Sequence, residues 1–136
     1  MSPEKEAALV SIYPSLFKDL SDLSCMKLFG FECGDGWFDL LKDLIEELKV
    51  ICEAETTPLE DDEDFSPVVN QVKEKFGTLR FYISSTTQNM RDAIDKAEAR
   101  SEETCEKCGN PGAIQVKHGW AFVRCGECYK PDCAST

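Results

Sequence analysis

Two Cys-x-x-Cys knuckles constrain this chain more than any other feature. Cys105-Glu-Lys-Cys108 and Cys125-Gly-Glu-Cys128 stand sixteen residues apart, a spacing that reads as a structural zinc site. Zinc takes four thiolates in a tetrahedron, and each knuckle supplies two sulfurs from one tight turn. The residues between them fit a β-ribbon. Ala113–Lys117 and Trp120–Arg124 are strand-like, and His118-Gly119 makes the turn between them. Gly109, just after the first knuckle, accepts a positive φ without steric cost. The expectation is one structural Zn2+ on Cys105, Cys108, Cys125 and Cys128, closed to water and substrate. His118 and Cys133 are further donors that could each replace a knuckle cysteine. A disulfide pair would need an oxidising compartment, and a thioredoxin-like redox pair would need a βαβ unit that the pattern does not show.

Size and charge narrow the class. A chain of 136 residues suits one compact domain, or a small domain with a metal-stapled appendix. No apolar run reaches the roughly eighteen residues of a membrane span, and Met1-Ser-Pro-Glu-Lys-Glu lacks the apolar stretch of a signal peptide. The cytoplasm is therefore expected, with Cys25, Cys33, Cys52 and Cys133 as reduced thiols outside the metal site. Residues 1–66 carry 17 acids against 5 bases, residues 67–104 carry 6 of each, and residues 105–136 carry 3 acids and 4 bases. The net charge of −11 opposes binding to generic DNA or RNA at physiological salt. It favours a protein partner with a basic surface.

In chain order, Ser2-Pro3-Glu4 reads as a helix start, with Ala8, Leu9 and Ile12 on one face. Tyr13-Pro14 interrupts it, and Leu16, Phe17, Leu20 and Leu23 recur at helical spacing. Gly30, Gly34 and Gly36 mark a tight turn, with Asp35 as the N-cap and Trp37 as first anchor of the next helix. There Trp37, Leu40, Leu41, Leu44, Ile45, Leu48, Ile51 and Cys52 form one apolar stripe. Glu60-Asp-Asp-Glu-Asp64 is an uninterrupted acidic run and the candidate partner-binding segment: Glu60, Asp61, Asp62, Glu63 and Asp64 would steer a basic surface. The rival is a plain solvated linker. Residues 67–76 align Val68, Val69, Val72 and Phe76 as a short helix ended by Gly77. The same valines suit a strand turning at Phe76-Gly77, and the helix is preferred. Thr78–Ser84 alternates as a strand, and a helix from Thr87 carries Met90, Ala93, Ile94, Ala97 and Ser101 towards Cys105. The fold class is α+β, with residues 1–104 as an acidic helical and strand core and 105–136 as a zinc-ribbon-like module.

Three strings, Phe29–Leu41, Gln71–Tyr82 and Cys105–Gly112, in that order resemble a family of uncharacterised small proteins of bacteriophages and prophage-bearing bacteria. The similarity spans roughly residues 13–128. Members carry Cys-x-x-His at the second knuckle, where this chain has Cys128 and keeps four donors. The resemblance implies a phage origin and, through the habit of small phage proteins, binding to a host protein. It implies no activity. One histidine in the whole chain excludes a two-histidine metal nuclease, and neither a nucleophile set nor a phosphate loop is present. The expectation is a non-enzymatic inhibitor or adaptor of a host complex. The alternative is a nucleic-acid-binding ribbon using Lys107, Lys117, Trp120, Arg124 and Lys130.

Overall fold

The computed structural model describes residues 1–17, 26, 29–55, 67–84 and 86–125. Helix α1 (Pro3–Ile12) opens as its sequence dictates, with Ser2 as N-cap accepting the Lys5 N–H. Tyr13-Pro14 ends it, and a single 3-10 turn (Pro14–Leu16) follows, burying Leu16 and Phe17. Strand β1 (Phe31–Glu32) and a second 3-10 turn (Asp35–Trp37) lead into α2 (Phe38–Glu55). Strands β2 (Val68–Lys75) and β3 (Thr78–Ser84) form a hairpin, and α3 (Gln88–Ser101) starts at an N-capping Thr87. The ribbon β4 (Ala113–Lys117) and β5 (Trp120–Arg124) closes the described chain.

Asp35 is not the N-cap of α2. It lies inside the 3-10 turn that precedes α2, and Gly34 is the cap residue of that turn. The Asp35 carboxylate instead accepts the Ser2 N–H at 2.9 Å, so it ties the start of α1 to the glycine turn. The stripe of α2 is buried at Leu40, Leu41, Leu44, Ile45, Leu48 and Cys52, with Trp37 fully buried just ahead of it.

Residues 68–75 are a strand, not a helix. β1 pairs in parallel with β2, and β2 pairs antiparallel with β3, giving the order β1-β2-β3. A register shift between Val69 and Gln71 makes Asn70 an extra residue, a β-bulge. The bulge restores the parity that an odd spacing would break. Val69 and Val72, three apart, therefore both reach the core and are fully buried. That spacing imitates a helix face. The hairpin turns at Phe76 (φ 54°) and Gly77 (φ 85°), both left-handed, which matches the twist of a two-residue hairpin. Phe76, aligned with the valines in the helical reading, is 73% exposed at the turn.

One face of this sheet (Phe31, Val69, Val72, Leu79, Phe81) joins the buried stripes of α1, α2 and α3 in a single core. The residues between them, Gln71, Lys73, Arg80 and Tyr82, turn the other way. The free edge of β3 is closed by α3. Ser101, itself fully buried, accepts the Leu79 N–H at 2.9 Å, and Glu98 accepts the Phe81 N–H at 3.2 Å. An unpaired sheet edge is a liability that proteins cover; here two side chains do it. Among the described residues no helix is long and apolar enough to cross a membrane.

Candidate metal centre

The first knuckle follows α3 directly. The Cys105 N–H donates to the Asn110 carbonyl at 2.8 Å, and the Gly109 N–H returns to the Cys105 carbonyl at 2.9 Å. Gly109 has φ +85°, the conformation the turn requires. Cys125 arrives at the end of β5, whose partner strand is joined by His118-Gly119, with φ 54° and 83°. The sulfurs of Cys105, Cys108 and Cys125 all lie within 4.8 Å of one another, and those of Cys108 and Cys125 are 3.4 Å apart. Cys105 and Cys125 are buried, and Cys108 is exposed. Three thiols so placed can hold a metal ion. Cys128, the fourth expected ligand, and Cys133 lie outside the described residues. His118 does not join the cluster; it sits in the ribbon's turn, a full strand away from Cys125.

The electrostatics favour thiolate. Burial alone would raise the Cys105 thiol, but the N–H groups of Cys125, Cys108 and Lys107 and the Cys108 thiol point at its sulfur. They outweigh burial and bring it down to about 6. Such a thiol is largely ionised at neutral pH, the form that a metal takes. Cys33 is the contrast. Burial first, then the Glu106 charge, push it up to about 12, so it stays a protonated thiol. None of the described cysteines is in a disulfide.

The knuckle is docked on the core through the glycine turn before α2. The Gly36 N–H donates to the Glu106 carbonyl at 2.7 Å, and the Gly34 N–H to the Glu106 carboxylate at 2.8 Å. The indole N–H of Trp37 donates to the Thr104 carbonyl at 2.9 Å. Glu106 in turn donates its N–H to Val123 of β5 at 3.0 Å and sits 3.6 Å from the Arg124 guanidinium. A Cβ at Gly36 would run into the Cys105 carbonyl, and one at Gly34 into the Glu106 carbonyl. The glycines before Trp37 therefore make a backbone cradle for the first-knuckle loop. Local sequence reading missed this role, although two glycines two residues apart were the visible signal.

Of the other expected site residues, Lys117 and Trp120 lie opposite each other at the ribbon's outer end, and Arg124 turns inward to Glu106. Lys130 and the acidic run Glu60–Asp64 lie outside the described residues. Comparison with protein-family models, with curated proteins and with solved structures gives no match.

Proposed function

We propose that this chain is a zinc-stapled binding protein of bacteriophage type. On this reading it acts in the bacterial cytoplasm and modulates a host protein complex without catalysing a reaction. The observation that carries the proposal is the thiol cluster at the base of a ribbon whose apolar side chains are left outside. Trp120 is 76% and Val116 70% exposed. Exposed apolar residues on a rigid element are characteristic of protein interfaces, and tryptophan is frequent among the residues that dominate binding energy. Zinc is the favoured metal because thiolates are its preferred ligands in closed tetrahedral sites. A Zn–S bond of about 2.3 Å separates tetrahedral sulfurs by about 3.8 Å, close to the spread seen here. Cys128 supplies the fourth thiolate, and the acidic run Glu60–Asp64 speeds approach to a basic partner.

The purified protein is expected to hold about one equivalent of zinc, and Cys105→Ser to lose most of it. Tagged protein should enrich a specific host protein from bacterial lysate. Trp120→Ser with Val116→Ser should abolish that enrichment while zinc content stays unchanged. Less than half an equivalent of zinc would refute the metal assignment. Enrichment indifferent to the ribbon variant would refute the interface.

A further inference from the structure

We infer that the solvent face of the β2–β3 hairpin, together with the groove beside it, binds a short single-stranded nucleic acid segment. The inference is independent of the ribbon and of its protein partner. Lys73 stands directly opposite Arg80 across the antiparallel ladder, and Lys75 follows two residues on. Like charges paired across strands are destabilising. The Arg80 charge is within reach of the Glu98 carboxyl, but neither cation forms a salt bridge among the described residues. The ion pairs among the described residues use Lys42, Lys96, Arg100 and Arg124 instead. Nearby acids are engaged elsewhere. Glu32, in register beside Lys73, accepts from the Gln71 amide. Glu74 accepts the Gly77 N–H, and Glu98 holds the β3 edge. Arg80 is fixed in place by its bonds to the Thr78 hydroxyl and the Leu79 carbonyl.

This cationic strip runs past Tyr82 into an open groove of about 590 Å³ that passes round the β3 edge to the start of α3. Tyr82, 41% exposed, forms one wall. Asn70 on the bulge, Thr86, Gln88, Arg91 and Asp95 supply the groove's other polar side chains. Phe81, Ile83 and Ile94 line it as well. Arg91 uses its Nε on the Thr86 hydroxyl, which leaves the terminal nitrogens of its guanidinium for a ligand. The volume is in the range of roughly 300–1,000 Å³ that suits small ligands. It would take one or two bases, not a duplex.

The combination selects the ligand. An aromatic side chain offers a stacking surface to any base, and flanking cations track the backbone. Side-chain amides such as Asn70 and Gln88 can donate to and accept from base edges, and Asp95 can accept from an exocyclic amine. Lys73 and Lys75 lie roughly 7 Å apart along the strand, on the scale of one nucleotide of an extended chain. An acidic peptide would use the cations but has no need of the ring or the amides. The net charge of −11 limits the affinity at physiological salt, so a short ligand at low salt is the one this face can hold. The sheet presents its solvent face away from the helical core.

The test is fluorescence anisotropy with a fluorescein-labelled ten-nucleotide oligo(U) and the full-length zinc-loaded protein. Binding is expected in the micromolar range at about 50 mM salt. Three to four phosphate contacts give a slope of log K against log salt of about −2 to −3. Lys73→Glu with Lys75→Glu should weaken binding at least tenfold. Tyr82→Ala should weaken it about tenfold, and Tyr82→Phe should restore it, with unchanged circular dichroism in each variant. No anisotropy change up to about 100 μM protein would overturn the inference. So would loss of binding in Lys117→Glu/Trp120→Ala but not in the hairpin variants, which would place the ligand on the ribbon. An oligo-glutamate peptide competing equally well, with Tyr82→Ala neutral, would overturn it in favour of an acidic peptide.

Discussion

At the scale of single residues, the Cys105–Cys108 loop depends on what is missing from Gly36. Its Cα faces the Cys105 carbonyl so closely that even a methyl group collides with backbone, which cannot move aside as a flexible side chain would. Gly36→Ala is expected to cost about 3 kcal/mol and to weaken metal retention, although the residue is no ligand. Thermal unfolding and zinc retention against a chelator check this. An unchanged midpoint with unchanged retention would show that the loop can shift at no cost. No local pattern in the sequence could have announced this contact, because Gly36 and Cys105 are far apart in the chain. The glycines were conspicuous at the sequence level, but their occupant was not.

At the scale of elements, legibility followed periodicity. The stripe of α2, the face of α3 from Met90 to Ser101 and the alternation of β3 each repeat cleanly, and all three stand as expected. β2 was misread because the Asn70 bulge sets Val69 and Val72 three residues apart on one face, which a strand without a bulge cannot do. The closed edge of β3 was also invisible, since Ser101 and Glu98 look like ordinary helix-surface residues until α3 is laid beside the strand. Glu98 shows the cost of that closure. Burial raises its pKa, only partly offset by the Phe81 N–H and the Arg80 charge. A carboxyl raised in the folded state is penalised when ionised, so its contribution to stability improves as pH falls through the folded value and levels off below the unfolded one. Glu98→Gln keeps an acceptor for Phe81 but removes the charge. It should unfold at or slightly above the wild-type temperature at pH 7, with the difference shrinking or reversing towards pH 4. A variant destabilised at pH 7 but not towards pH 4 would show that the charge itself holds the edge.

At the scale of the whole molecule, the ribbon and the core are joined at Gly34, Gly36, Trp37 and Thr104, around the same loop that supplies Cys105 and Cys108. Removing metal should therefore loosen more than the ribbon. Titration with a strong chelator, followed by hydrogen exchange, is expected to raise exchange at the Trp37 indole and the Gly36 amide together with β5. A core whose protection is unaffected would mean that the two halves are energetically separate. The meeting of Cys105, Cys108 and Cys125 was legible in sequence because the knuckle spacing is chemical and local. The attachment of the loop to the core was not, because that rests on backbone groups shared by all residue types.

That attachment also sets an order of events during synthesis. The cradle of Gly34 and Gly36 leaves the ribosome about seventy residues before Glu106, which by sequence separation alone is roughly 4–14 s at bacterial elongation rates of about 5–20 residues per second. Throughout that interval the indole of Trp37 and the amides around it lack the carbonyls that later receive them, whereas α1 and α2 can already pack. The nascent chain thus waits with a prepared seat at its centre. Closure of that seat is gated by the arrival of Thr104 and Glu106, whose carbonyls fill it.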